Sequence, residues 1–161
     1  MKTKRSALSI IILLVLVVYA RPLYAVSAED MVKFLPDKIL DFATTDEAPT
    51  IEDVQKGGGE YHRVQKIYSS KSKHAVIVTA RGKAASKEIA RFISQGTSSL
   101  SIKGFKGVVL PPENKEIASV CISVKLRDDQ YITVVTLNTN SASIAKKLLN
   151  TLDLQGLAKQ E

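Results

Sequence analysis

From Ala118 to Arg127 the chain alternates without a break, with Val120, Ile122, Val124 and Leu126 on one side and Ser119, Cys121, Ser123, Lys125 and Arg127 on the other. A period of two sends successive side chains to opposite faces of a pleated strand. One apolar and one polar face mark a half-buried strand of an antiparallel sheet. Asp128-Asp129-Gln130 makes a tight connection to a second strand, Tyr131 to Leu137. The adjacent acids suit that turn, because Asp side chains bond their own backbone there. Upstream, Val108-Val109-Leu110 forms a short strand closed by Pro111-Pro112, and Asn114-Lys115 makes the next turn. Ser98 to Gly107 reads as a loop or turn region.

The same reasoning gives strands at Tyr61–Ser69 and His74–Arg81, joined by a Ser- and Lys-rich turn as a hairpin. The run Ala75-Val76-Ile77-Val78 suggests a central strand buried on both faces. Ala85, Ile89, Phe92 and Ile93 form one helical stripe that Gly96 stops. Ile144, Leu148, Leu149 and Leu152 form another, capped by Asn140 or Ser141 and ending near Gly156. The expected fold class is α+β: an antiparallel sheet of about five strands, in the order ββ-α-βββ-α, with helices packed on one face. No alternation of strand and helix supports a dinucleotide-binding sheet.

That order over residues 60–152 is similar to the PsbP/Mog1-like group of small α+β domains, which implies the fold and brings no catalytic residue to this chain. Leu35-Pro36-Asp37 after a short helix, Gly57-Gly58-Gly59, and Tyr68 before a Val-rich strand resemble small exported bacterial proteins.

Residues 1–25 read as a signal peptide. Lys2, Lys4 and Arg5 precede an apolar run from Ala7 to Ala20, followed by Arg21, Pro22 and the small-residue exit Leu23-Tyr24-Ala25. Cleavage after Ala28 is the alternative. The apolar run is shorter than the roughly 20 residues of a membrane-spanning helix, so export to the periplasm or exterior is expected ahead of an uncleaved anchor. No Cys follows the run and no twin-Arg pair precedes it, which favours the general secretory route. Residues 26–59 form an acidic lead-in with one short helix from Glu29 to Leu35 and a Gly-rich loop, and residues 60–156 form the α+β domain. The glycines are not a phosphate-binding loop, because Glu60-Tyr61-His62 stands where a Lys-Ser/Thr pair and a helix would be required.

The formal charge of +7 hides a strong segregation. Residues 29–60 hold nine acids and three bases, residues 61–109 ten bases and one acid, and residues 110–161 six of each. The basic set is Arg63, Lys66, Lys71, Lys73, Arg81, Lys83, Lys87, Arg91, Lys103 and Lys106, with Phe105 set between the last two. Such clustering gathers anions. It serves equally to hold the chain's own acidic lead-in. Phe105 either meets a partner or anchors its loop in the core.

Catalytic and metal chemistry find little material. Cys121 is the single thiol, and its nearest same-face cation, Lys125, does not match a thiol-activating arrangement. His62 and His74 could approach across the hairpin but lack a third ligand. The carboxylate pairs Asp46-Glu47, Glu52-Asp53 and Asp128-Asp129 lie in turn-rich stretches with no Trp in the chain to build a sugar platform. No Gly-x-Ser-x-Gly elbow is present. Neither a cofactor nor a metal is expected. The sequence therefore points to an exported, non-catalytic binding or accessory protein whose basic segment meets an acidic partner protein or an anionic envelope component. Nucleic acid is disfavoured by export and by the scarcity of aromatics among the cations. The alternatives are a ligand-binding or enzymatic domain, with a pocket between sheet and helices lined by Ser119, Cys121 and Ser123, and an N-terminally anchored subunit of a membrane complex.

Overall fold

The computed structural model of the chain describes residues 27–56, 59–112 and 116–160. Residues 1–25, read as a signal peptide, with Val26, Gly57-Gly58 and the Asn114-Lys115 turn, lie outside them. Among the described residues, no helix is long and apolar enough to cross a membrane.

The elements run α1 (Ala28–Val32), β1 (Lys38–Ile39), β2 (Phe42–Thr44), β3 (Thr50–Lys56), β4 (Gly59–Ser70), β5 (Lys73–Gly82), α2 (Lys83–Gln95), β6 (Ser98–Ile102), β7 (Phe105–Leu110), β8 (Ser119–Arg127), β9 (Gln130–Leu137), α3 (Ala142–Thr151) and α4 (Leu154–Ala158). The fold is α+β. All nine strands join one sheet in the order β1-β2-β4-β5-β9-β8-β7-β6, with β3 paired to β4 off this path. Every pairing is antiparallel. β4 and β5 make the expected hairpin, and β8 and β9 follow the expected alternation.

The sheet is larger than the expected five strands for two reasons. Residues 38–56, read as a polar lead-in, supply β1, β2 and β3: β2 and β3 share the outer edge of the 12-residue β4, and β1 pairs with β2. Ser98 to Gly107, read as a loop, is instead the β6–β7 hairpin. Lys103 and Gly104, at φ +50° and +85°, form its two-residue turn, and Ile102 pairs with Phe105 across it. Two successive positive φ values match the twist of the flanking strands.

The helices also divide differently from expectation. Val64, Tyr68, Ala75, Ile77, Ile122, Val124, Ile132 and Val134 share one face of the sheet. There they pack with Met31 of α1 and Leu35 just after it, Leu148 and Leu149 of α3, and Leu154 and Leu157 of α4. α2 lies on the opposite face, where Ala85 and Ile89 cover Tyr61, Ala80 and Tyr131. The central strands make this possible because they are apolar on both sides, as the run 75–78 implies. Gly82, at φ +117°, turns the chain from β5 over that second face.

Candidate functional site

The ten cations of the basic segment do not form one surface. Lys66 points into the main core side and is buried. Its Nζ donates to the Leu35 carbonyl and to Asp37 Oδ1, each at 2.7 Å. Arg63 lies on the opposite face, 3.5 Å from Glu52, and donates to Gln65. Lys71 and Lys73 close the β4–β5 turn beside Asp41, which accepts from the Ser70 hydroxyl at 2.6 Å. Arg81 donates to the Gln160 carbonyl at 2.6 Å and lies 4.0 Å from Asp129. Lys103 reaches across to the Leu152 carbonyl that follows α3, at 2.7 Å. Phe105, the residue singled out between two lysines, is half-buried against the main core. It anchors its hairpin and is not presented outward.

Of the four that remain, Lys106 lies on β7 and three form an external row on α2. Lys83, Lys87 and Arg91 are exposed and recur every fourth residue, so they follow one side of the helix. Ser86, Ala90 and Ser94 fill the gaps between them with small side chains. The helix's one acid, Glu88, turns inward and accepts from the hydroxyls of Tyr61 at 3.2 Å and Tyr131 at 2.5 Å. Burial first, and then the bond to Glu88, pushes the Tyr131 phenol far above its ordinary value. That phenol stays protonated, and the outer face of α2 carries positive charge alone.

Beside this row, α2 and the sheet enclose a groove of about 570 Å³, lined by Ile89, Phe92, Ile93, Val108 and Tyr131, with Lys106 and Lys125 also on its lining. Phe92 stands edge-on to Tyr131, ring centres 5.1 Å apart, so the two aromatic walls brace each other. Lys106 is exposed and makes no ion pair among the described residues, whereas Lys125 is held by Asp128 at 2.6 Å. Ser123, expected to line a pocket, does so. Ser119 and Cys121 instead line a second hollow on the other side of Phe92. The groove could not be read from the sequence, because its lining comes from elements far apart in the chain. The one available signal was the polar side of the β8 alternation, which faces it.

The two histidines do not meet. Register pairs His62 with Arg81 and His74 with Ser69, so they sit near opposite ends of the hairpin and on opposite faces. His62 instead lies between Asp53, 2.6 Å from Nδ1, and Glu60, 2.9 Å from Nε2. Cys121 is half-buried on β8, with β9 separating it from His74. Among the described residues, no group of three His, Cys, Asp or Glu side chains is placed to hold a metal ion.

Several exposed carboxylates are tied to cations or hydroxyls. A hydrogen bond from Lys66, and then its charge, holds Asp37 below its ordinary value. Lys125 does the same for Asp128, and Lys33 for Asp30, while the Ser70 hydroxyl lowers Asp41. Groups whose folded pKa is lowered contribute stability above the ordinary carboxylate range and lose it as pH falls through the folded value. The unfolding midpoint is therefore expected to stay level from about pH 7 to about pH 5 and to fall below about pH 4. A midpoint that rises on acidification would contradict these pairings.

Comparison of the chain with protein-family models, with curated proteins and with solved structures finds no match in any of the three.

Proposed function

We propose that this chain is an exported, non-catalytic binding protein that docks through the outer face of α2 onto an anionic surface of the cell envelope. The observation that supports it is the row Lys83, Lys87 and Arg91, which faces solvent with no acid among its neighbours on the helix exterior. The small residues between these cations keep the face low, which suits a planar surface better than an interlocking one. Each Lys or Arg near an anionic lipid surface contributes about 1 kcal/mol at low salt. The row as a whole would therefore supply about 3 kcal/mol, screened within about 10 Å at ordinary ionic strength. An acidic protein partner is the other reading that these charges serve.

Co-sedimentation with phosphatidylglycerol-containing vesicles, against pure phosphatidylcholine vesicles, tests this. The protein is expected on the anionic vesicles only, and raised salt is expected to release it. Lys83→Gln/Lys87→Gln/Arg91→Gln should lower binding by about tenfold or more. Lys146→Gln/Lys147→Gln/Lys159→Gln carries the same charge change on α3 and after α4, and should leave binding nearly intact. Equal loss in both triple variants would reduce the effect to net charge and sink the reading. Capture of an acidic soluble protein, with no vesicle binding, would replace it with the partner reading. N-terminal sequencing of the native protein checks the export half, for which Val26 or Glu29 is expected; Met1 would support an anchor instead.

A further inference from the structure

We infer that the groove between α2 and the β7–β8 part of the sheet binds a single-chain amphiphilic carboxylate, its alkyl chain along Phe92, Val108 and Tyr131 and its anionic head at Lys106. The groove does not depend on the docking reading: Lys106 belongs to β7, and of the α2 row only Arg91 reaches the wall, its guanidinium 5.4 Å over the Phe92 ring.

Four observations carry it. The groove's volume of about 570 Å³ falls within the roughly 300–1,000 Å³ of small-molecule sites. Its lining is dominated by Ile89, Phe92, Ile93, Val108 and Tyr131, and no acidic residue lines it. The Tyr131 hydroxyl is already committed to Glu88, so the groove receives the ring and not the polar tip. Ile93, at the lip, is 57% exposed, a large apolar side chain that an alkyl chain would cover.

The polar features select the head group. Two ammonium groups line the groove, which excludes a cationic ligand. Asp128 neutralises Lys125, which leaves Lys106 to meet one negative charge. At the floor the Ser123 hydroxyl accepts from Thr133 at 3.0 Å. With so few hydrogen-bonding groups, the groove cannot satisfy a sugar or another polyhydroxylated ligand, whose desolvation would go uncompensated.

Isothermal titration of the mature protein with dodecanoate below its micelle concentration is the test, with dodecanol and dodecylammonium as comparisons. Saturable binding of dodecanoate is expected, with dodecanol weaker and dodecylammonium absent. Lys106→Gln should weaken dodecanoate about threefold to fivefold. Ile93→Glu sets a like charge at the lip on an already exposed position, so the fold survives; it should weaken binding about tenfold. Val108→Trp fills the groove and should abolish binding. The Lys83→Gln/Lys87→Gln protein, which leaves in place the Arg91 guanidinium 5.4 Å over the Phe92 ring, should bind dodecanoate as the parent does, even where it sediments less with vesicles. Absence of saturable binding would overturn the inference, as would equal binding of dodecanol and dodecanoate, or parent-like affinity in both Ile93→Glu and Val108→Trp.

Discussion

Gly82→Ala is expected to lower the unfolding free energy by about 3 kcal/mol or more. Gly82 sits at φ +117°, a conformation that L side chains rarely adopt, and a Cβ there would lie 2.0 Å from the Glu60 carbonyl oxygen. That oxygen belongs to the backbone of the neighbouring strand, so it cannot swing aside. The Gly82 N–H is also committed, donating to the Asp129 carbonyl at 2.8 Å. Three constraints meet at the residue that sends the chain from β5 into α2. Gly104→Ala provides the comparison, because Gly104 has φ +85° but nothing within 4 Å of its Cβ position. It bears the backbone term alone, about 1 kcal/mol. Denaturant midpoints at unchanged slope would show the difference. A Gly82→Ala protein no less stable than Gly104→Ala would mean that the close approach to β4 is not real. Because α2 carries both the cation row and one wall of the groove, loss of vesicle and dodecanoate binding should accompany the loss of stability.

Lys66→Ala is expected to lose about 2–3 kcal/mol. Lys66 is 6% exposed and ties β4 to the segment that precedes β1 through the Leu35 carbonyl and Asp37. Tyr68, two residues along on the same face, adds a bond from its hydroxyl to the Pro36 carbonyl at 2.9 Å. Three consecutive residues, Leu35, Pro36 and Asp37, are thus gripped by two side chains of one strand. Truncating Lys66 leaves a buried carbonyl without its donor and removes an alkyl stem from the packing. Asp37→Asn should lose clearly less than Lys66→Ala, since the Asp37 side chain is 90% exposed and its charge is screened. Equal losses in the two variants would place the energy in the ion pair and not in the buried carbonyl contact.

The strands at 61–69, 74–81, 118–127 and 131–137 and both longer helices were legible because periodicity alone identifies them. β1 to β3 were not. β1 and β2 are two and three residues long and β3 carries Thr, Glu and Asp; β2 and β3 are strands because the long β4 offers them an edge, and β1 because β2 does. Ser98–Ile102 was obscured by its serines, although Leu100 and Ile102 alternate and Lys103-Gly104 suits a tight turn. The placement of α2 opposite the other helices depends on one glycine's backbone conformation, which a letter in a sequence does not reveal. Charge segregation was plain in the sequence, but its meaning was not. Lys66 and Lys83 look alike on paper, and only register and burial separate the structural cation from the external one.

The strand order also shapes how the chain reaches its native state. β6, β7, β8 and β9 form a meander of neighbours in sequence, and β3, β4 and β5 form another. The two are joined along the centre of the sheet by β5 and β9, from His74↔Leu137 to Arg81↔Gln130. Each meander can zip up through short loops, but this seam must bring together residues separated by all of α2, β6, β7 and β8. Closing so long a loop is entropically unfavourable before any contact rewards it. The seam is therefore expected to be the slow step of assembly. Until it closes, β5 and β9 stand as two bare, apolar edges in the same molecule, each able to pair with the wrong chain.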